Sequence, residues 1–200
     1  MLIVLTSEQE ITNEAALLNQ LFTNGLEVLH LRKPSFTIDS YRELLRQIEN
    51  KFYKRIMIHE YHELCVEFRL KGIHIQEQPR IDLGDELGTY VANHKSDGYK
   101  VSSSFHEPEV LNDCKINFDY YLLSPVFSSI SKKGYEGRGF DVNEINKTIV
   151  GMGGVNKTTI PEVFKLGYGG IGILGGVWNT ENPIESFKEI KRHYEEETMK

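Results

Sequence analysis

Short apolar runs alternate with longer amphipathic stretches along the whole chain. Eight runs read as strands: Leu2–Leu5, 26–31, 55–58, Gly72–Ile75, 98–102, 119–123, 148–152 and 170–174. Each is four to six residues long and is bounded by turn-forming or polar residues, as short buried strands are. The stretches between them carry helical spacing. Residues 11–22 place Ala15, Leu18 and Phe22 on one face, and Gly25 stops the pattern. Thr37 or Asp39 caps a helix running to about Lys51, with Tyr41, Leu44, Leu45 and Ile48 on one face. A short helix is predicted at 61–70, another opens at Pro108, and Asp141 is placed to cap a brief one. Residues 158–166 end at Gly167, and 184–197 close the chain as an amphipathic helix. The weakest pattern lies at 76–97, where only a short helix over 82–90 is legible.

Strands alternating with helices predict a parallel sheet, and eight strands close a small (β/α)8 TIM barrel, one domain over residues 1–200. A doubly wound open sheet is the rival architecture and usually has fewer strands. In a barrel every βα loop opens on one face. That face would collect His30 and Arg32, His59 and Glu60, His74, Ser104 and His106, and the glycine pairs Gly153-Gly154 and Gly175-Gly176. Paired glycines after strands seven and eight let backbone amides approach an anion closely.

The segment 124–139 sharpens that expectation. It carries Ser128, Ser129, Ser131, Lys132, Lys133 and Arg138 among the glycines Gly134, Gly137 and Gly139. Hydroxyls and cations on a long strand-end loop suit an anionic ligand, over which the loop is expected to close. Net charge is −6, against duplex nucleic acid as a partner but compatible with a small phosphate ligand. Apolar residues make up 40% of the chain, with no run near the ~18 needed to span a membrane. Without a basic, apolar leader, and with Cys65 and Cys114 scattered at no metal-ligand spacing, a cytoplasmic location with reduced thiols is expected. The run His59-Glu60-Tyr61-His62-Glu63 falls one residue short of HExxH, so zinc is rejected on that motif. His74 reads most simply as a satisfied core residue, and Trp178 as packing.

In this order, these residues resemble the thiamine phosphate synthase/TenI family over nearly the whole chain. His30-Leu31-Arg32-Lys33-Pro34 is similar to the family's Q-L-R-E-K, and His59-Glu60 falls on its Asn-Asp pair. Gly72 and His74 match its G-V-H-x-G-Q-x-D. Ser104-Phe105-His106 matches S-x-H, and Pro125-Val126-Phe127 with Ser129, Ser131 and Lys132 matches P-V-F-x-T-x-T-K. Gly153-Gly154 matches the glycine pair, and Lys132 to Gly139 resembles the TenI branch.

The resemblance implies an enzyme that joins hydroxymethylpyrimidine diphosphate to thiazole phosphate, giving thiamine phosphate and pyrophosphate. By that resemblance, Arg32 and Lys132 neutralise the leaving diphosphate. Ser129, Ser131, Gly153, Gly154, Gly175 and Gly176 hold thiazole phosphate, and Ser104 and His30 face the pyrimidine. Lys33 stands in for the lysine that falls on Pro34, and His59, His74 and Arg138 complete the substrate contacts. The implied magnesium ion keeps Glu60 as a ligand, while the position of a second carboxylate is taken by Pro79. Phosphorylated small molecules are the expected partners, with a homodimer left open. Two alternatives stand beside the synthase. One is a non-catalytic barrel that binds thiazole phosphate or thiamine phosphate. The other is a thiazole tautomerase, whose histidine position is occupied here by Pro125.

Overall fold

The computed structural model describes residues 1–128 and 137–199. Eight parallel strands close into a barrel in chain order: β1 (Leu2–Leu5), β2 (Val28–Leu31), β3 (Ile56–Ile58), β4 (Gly72–Ile75), β5 (Lys100–Phe105), β6 (Tyr120–Leu123), β7 (Ile149–Met152) and β8 (Gly170–Ile173). The helices that cover it are α1 (Glu14–Thr23), α2 (Ile38–Gln47), α3 (Glu63–Glu67), α4 (Glu77–Asp82), α5 (Leu87–Ser96), α6 (Pro108–Asp113), α7 (Ile160–Lys165), α8 (Gly175–Trp178) and α9 (Pro183–Thr198).

The strands are buried on both faces, and their two-residue period divides the apolar residues into two cores. Ile3, Leu5, Val28, Met57, Tyr120, Leu122 and Val150 fill the barrel interior. Alternate positions such as Val4, Leu29, Leu31, Ile56, Ile58, Ile73 and Ile171 pack outward against Leu18, Leu45, Leu64 and Phe187 of the helical shell. β1 pairs with β8 through Ile3↔Gly172, which closes the ring. Trp178 donates its indole N–H to the Leu5 carbonyl at 2.6 Å and ties α8 to the closing strand, the packing role expected of it.

Several local features depart from the sequence reading. Residues 76–97 hold α4 and α5, separated by a 3₁₀ turn at Gly84–Glu86. Their pattern was weak because α5 buries only Leu87 and Val91. β5 runs on to Phe105, so Ser104 lies inside a strand rather than beyond it. No helix follows Asp141 among the described residues. Its carboxylate instead accepts the Asn143 amide at 3.0 Å, a local turn that competes with helix entry. α3 is shorter than 61–70 because left-handed residues flank it, Tyr61 (φ 52°) and Arg69 (φ 53°). The Thr37 cap is as expected: its hydroxyl accepts the Ser40 amide at 3.2 Å.

Lys33 has a structural role in place of the substrate contact expected of it. Its side chain is fully buried, pairs with Glu14 of α1 at 2.6 Å and donates to the Gln9 carbonyl at 2.8 Å. Burial raises the Glu14 carboxyl above the usual range, against the opposing pull of Lys33. The pair anchors α1 to the loop after β2. A buried charge stripped of its partner costs about 3–5 kcal/mol, whereas an apolar pair of similar volume is close to neutral. Lys33→Met is therefore expected to lower unfolding free energy by about that amount, and Lys33→Met/Glu14→Leu to recover most of it. Urea titration of the two variants checks this; equal losses in both would remove the pair from the anchor.

Candidate active site

The strand period that builds the interior also brings polar residues into it. His30 sits two positions beyond Val28, His59 two beyond Met57, and His74 two beyond Gly72, all on the inward parity. Ser102 and Ser104 of β5 and Tyr120 of β6 complete the group. The register sets His74 opposite Ser102 and Ser102 opposite Tyr120. One nitrogen from each of His30, His59 and His74 lies within 4.8 Å of the other two.

His30 Nδ1 is 2.8 Å from His59 Nε2, and His30 Nε2 is 2.6 Å from the Tyr120 hydroxyl. His74 is held from both sides, Nδ1 by Ser102 at 2.8 Å and Nε2 by Ser104 at 2.6 Å. The His59 and His74 rings are tilted by 30° with centroids 4.2 Å apart. His59 Nδ1 is buried with no partner, whichever way the proton lies between His59 and His30. Such an orphan costs ~1–3 kcal/mol. Burial drives all three imidazoles toward the neutral form. The His30 pKa falls to about 3, and those of His59 and His74 lie well below the usual value, with mutual repulsion adding to desolvation.

Above this cluster, at the C-terminal ends of the strands, lies a cavity of about 720 Å³. Arg32, His59, Ser104, Gly153, Gly154, Gly175 and Gly176 line it, as expected of the mouth of such a barrel. Glu8, Gln76, Glu77, His106, Asn156 and Asn179 are further polar groups on its wall. Arg32 is oriented by an ion pair with Glu8 and by the Gln76 side-chain oxygen at 3.3 Å. His106 Nδ1 donates to the Ser124 carbonyl at 2.8 Å. Glu8, Asn156 and Asn179 lie on loops with no strand-end pattern around them, so spacing alone could not single them out.

Other expected site residues fall elsewhere. His30 and His74 lie beneath the cavity, in the barrel core, rather than on its wall. Arg138 pairs with Glu107 at the exposed rim and is not part of the lining. Glu60 also stands off the cavity, accepting bonds from the Tyr41 hydroxyl and from the Gln76 amide at 3.0 Å. Ser129, Ser131 and Lys132, and with them most of the expected loop closure, lie outside the described residues. The glycine pair after β7 answers to crowding as well as to any ligand. Gly153 (φ 90°) and Gly154 (φ 64°) are left-handed, and added Cβ atoms would come within 2.9 Å of Pro125 and 2.7 Å of Phe127. The loop after β6 is zipped there through Val126 N to Met152 O at 2.7 Å and Phe127 N to Gly153 O at 3.0 Å.

The depressed His30 pKa sets a pH signature. An unfolded histidine takes up its proton near pH 6.5, while the folded one resists it down to about 3. Its contribution is therefore complete above about pH 6.5 and is lost progressively as the pH falls toward 3. Between pH 7.5 and 5.0 the loss from His30 is about 2 kcal/mol. Urea titrations at the two pH values are expected to show a smaller loss for His30→Gln than for the parent chain. An unchanged pH slope in the variant would show that His30 is not held neutral.

A family model described as thiamine monophosphate synthase matches residues 1–177. The thiamine-phosphate synthase of Dictyoglomus thermophilum is 23% identical over 184 residues, 86% of this chain and 79% of that protein. That of Pyrococcus furiosus is 23% identical over 198 residues, 95% and 93% of the two chains. Among solved structures, a thiamine phosphate pyrophosphorylase from Bacteroides thetaiotaomicron superposes with a TM-score of 0.75 at 29% identity, covering 97% of both chains. The Pyrococcus furiosus thiamine phosphate pyrophosphorylase superposes with a TM-score of 0.77 at 18% identity, over 98% of this chain and 95% of that one.

Proposed function

The chain belongs to the thiamine monophosphate synthase family, and from that premise we propose that it joins hydroxymethylpyrimidine diphosphate to thiazole phosphate. The pyrimidine's methylene carbon loses pyrophosphate, and the thiazole nitrogen forms the new bond to that carbon. The products are thiamine phosphate and pyrophosphate. The observation that carries this reading is the single cavity wall shared by Arg32, Ser104 and both glycine pairs. Its volume of about 720 Å³ lies within the usual range for small-molecule sites.

The chemistry asks the protein for alignment and charge stabilisation more than for proton transfer. Arg32, pre-oriented by Glu8 and Gln76, meets the charge that develops on the departing diphosphate. Lys132 is assigned the same task by the family motif. Gly175 and Gly176 open α8, so their amides have no acceptor within that helix and can donate to the thiazole phosphate. Ser104 presents a hydroxyl at the cavity floor for the pyrimidine.

Magnesium, which the family resemblance implies, does not fit the described residues. Glu60 is engaged by Tyr41 and Gln76, Glu8 by Arg32, and Glu77 by Arg80 at 3.5 Å. No three carboxylates converge among the described residues. No step is assigned to that ion. The same observation favours a second reading, a barrel that binds thiazole phosphate or thiamine phosphate without turnover. Pro125 in the histidine position weighs against the tautomerase.

Two measurements test the proposal. Incubation with both substrates is expected to yield thiamine phosphate, read by fluorescence after oxidation; binding of thiazole phosphate without product would select the second reading. In calorimetry, thiazole phosphate binding is expected to be unchanged by chelator, because backbone amides need no metal. Arg32→Ala is expected to cost the diphosphate ~1.5–3 kcal/mol, about a 10- to 150-fold loss of affinity, and the thiazole less. Equal losses for both ligands would remove Arg32 from the diphosphate side.

A further inference from the structure

Three imidazoles from three adjacent strands converge inside this barrel, and the cluster is not accounted for by substrate binding. By the resemblance set out above, two of the three, His30 and His59, fall on motif positions that the family fills with Gln and Asn. Together with His74 they make a set of three nitrogen donors that the Gln-Asn-His pattern lacks. We propose that His30, His59 and His74 form a three-histidine site for a divalent transition-metal ion, with a fourth position open to the cavity.

The geometry supports this from several directions. A tetrahedral ion with ~2.0–2.1 Å bonds to nitrogen needs donors about 3.3 Å apart. The three nitrogens already lie within 4.8 Å of one another, and His30 Nδ1 and His59 Nε2 stand 2.8 Å apart. A tautomer shift at that pair, with the protons on His30 Nε2 and His59 Nδ1, frees both facing lone pairs. Outer partners of the kind that orient metal-bound histidines are in place for His30 and His74. Tyr120 holds His30 through Nε2, leaving Nδ1 for the ion. Ser102 and Ser104 flank His74, so one nitrogen can turn to the ion while the other keeps a hydroxyl partner. His59 presents Nε2 to the same point, and its Nδ1 is buried without a protein partner.

The donor set also selects the class of ion. Imidazoles without carboxylates suit zinc, cobalt, nickel or copper rather than magnesium. Three neutral ligands leave the charge of the ion uncompensated, so an anion or hydroxide is needed in the fourth position. His59 borders the cavity, and that is the side from which such a ligand arrives.

The site is tested with cobalt(II) on tag-free, chelator-stripped protein, with no substrate present, so the result is independent of the proposed reaction. One equivalent is expected to bind with the strong visible absorption of a tetrahedral nitrogen site, and azide is expected to shift that band. Tyr120→Phe, which removes only the outer partner of His30, is expected to weaken binding about 10-fold or more. His30→Gln/His59→Asn, which restores the residue types of the family pattern, is expected to weaken it well beyond ~100-fold, since ligands rather than outer partners are lost. Circular dichroism checks the fold of each variant; if the double variant does not fold, His59→Asn replaces it. A visible band retained in the histidine variants would place the ion elsewhere and overturn the site. So would absence of the band in the parent protein, in which case the three rings are a hydrogen-bonded core. A band insensitive to azide would overturn the open fourth position.

Discussion

The parallel register of the closed sheet decides which side chains meet inside this protein. Because each strand turns alternate residues inward, pairing His74 with Ser102 and Ser102 with Tyr120 places those groups in one interior layer. His30 and His59 arrive by the same rule from β2 and from the residue just beyond β3. A slip of one residue in β2 or β4 would exchange a histidine for an apolar neighbour, Leu29 or Ile73, which now packs against the helices. The apolar barrel core formed by Ile3, Met57, Leu122 and Val150 holds this register, because a slip would turn those side chains toward the shell.

Charge at the mouth follows a second constraint: three cations among the described residues there are already partnered. Arg32 meets Glu8, Glu77 meets Arg80, and Arg138 meets Glu107. Such pairs orient the cations before any ligand arrives, so less conformational entropy is lost on binding. They also set a threshold, since an entering anion must compete with Glu8 for Arg32. Glu60 belongs to the same pattern; its two oxygens accept from Tyr41 and Gln76 and form part of the structural frame.

The motif spacing around His59 and His62 excluded one kind of metal site and said nothing about another. A helical HExxH uses neighbours along the chain, whereas His30, His59 and His74 are spread over 45 positions and meet only through strand pairing. His62 takes a different path, bonding the Tyr90 hydroxyl at 2.7 Å outside the cluster. The role of Lys33 was likewise invisible in its local context. A lysine after a strand reads as a ligand cation, and only the packing of α1 against the following loop buries it beside Glu14.

By itself the sequence determined the architecture, because alternating short apolar runs and amphipathic stretches have few ways to bury both strand faces. Gly72–Ile75 and Leu2–Leu5 were legible to the residue, and the helix cap was narrowed to Thr37 or Asp39, of which the structure uses Thr37. Whether a strand-end residue lines the cavity, lies beneath it or turns to a neighbour was decided only by the tertiary structure. Arg32 and Ser104 face the cavity, His30 and His74 sink into the core, and Lys33 and Glu60 are taken up by Glu14 and Tyr41. The physical reason is that strand and helix periods are local properties of the chain. A side chain's final partner depends instead on register, burial and charge compensation between segments far apart in sequence.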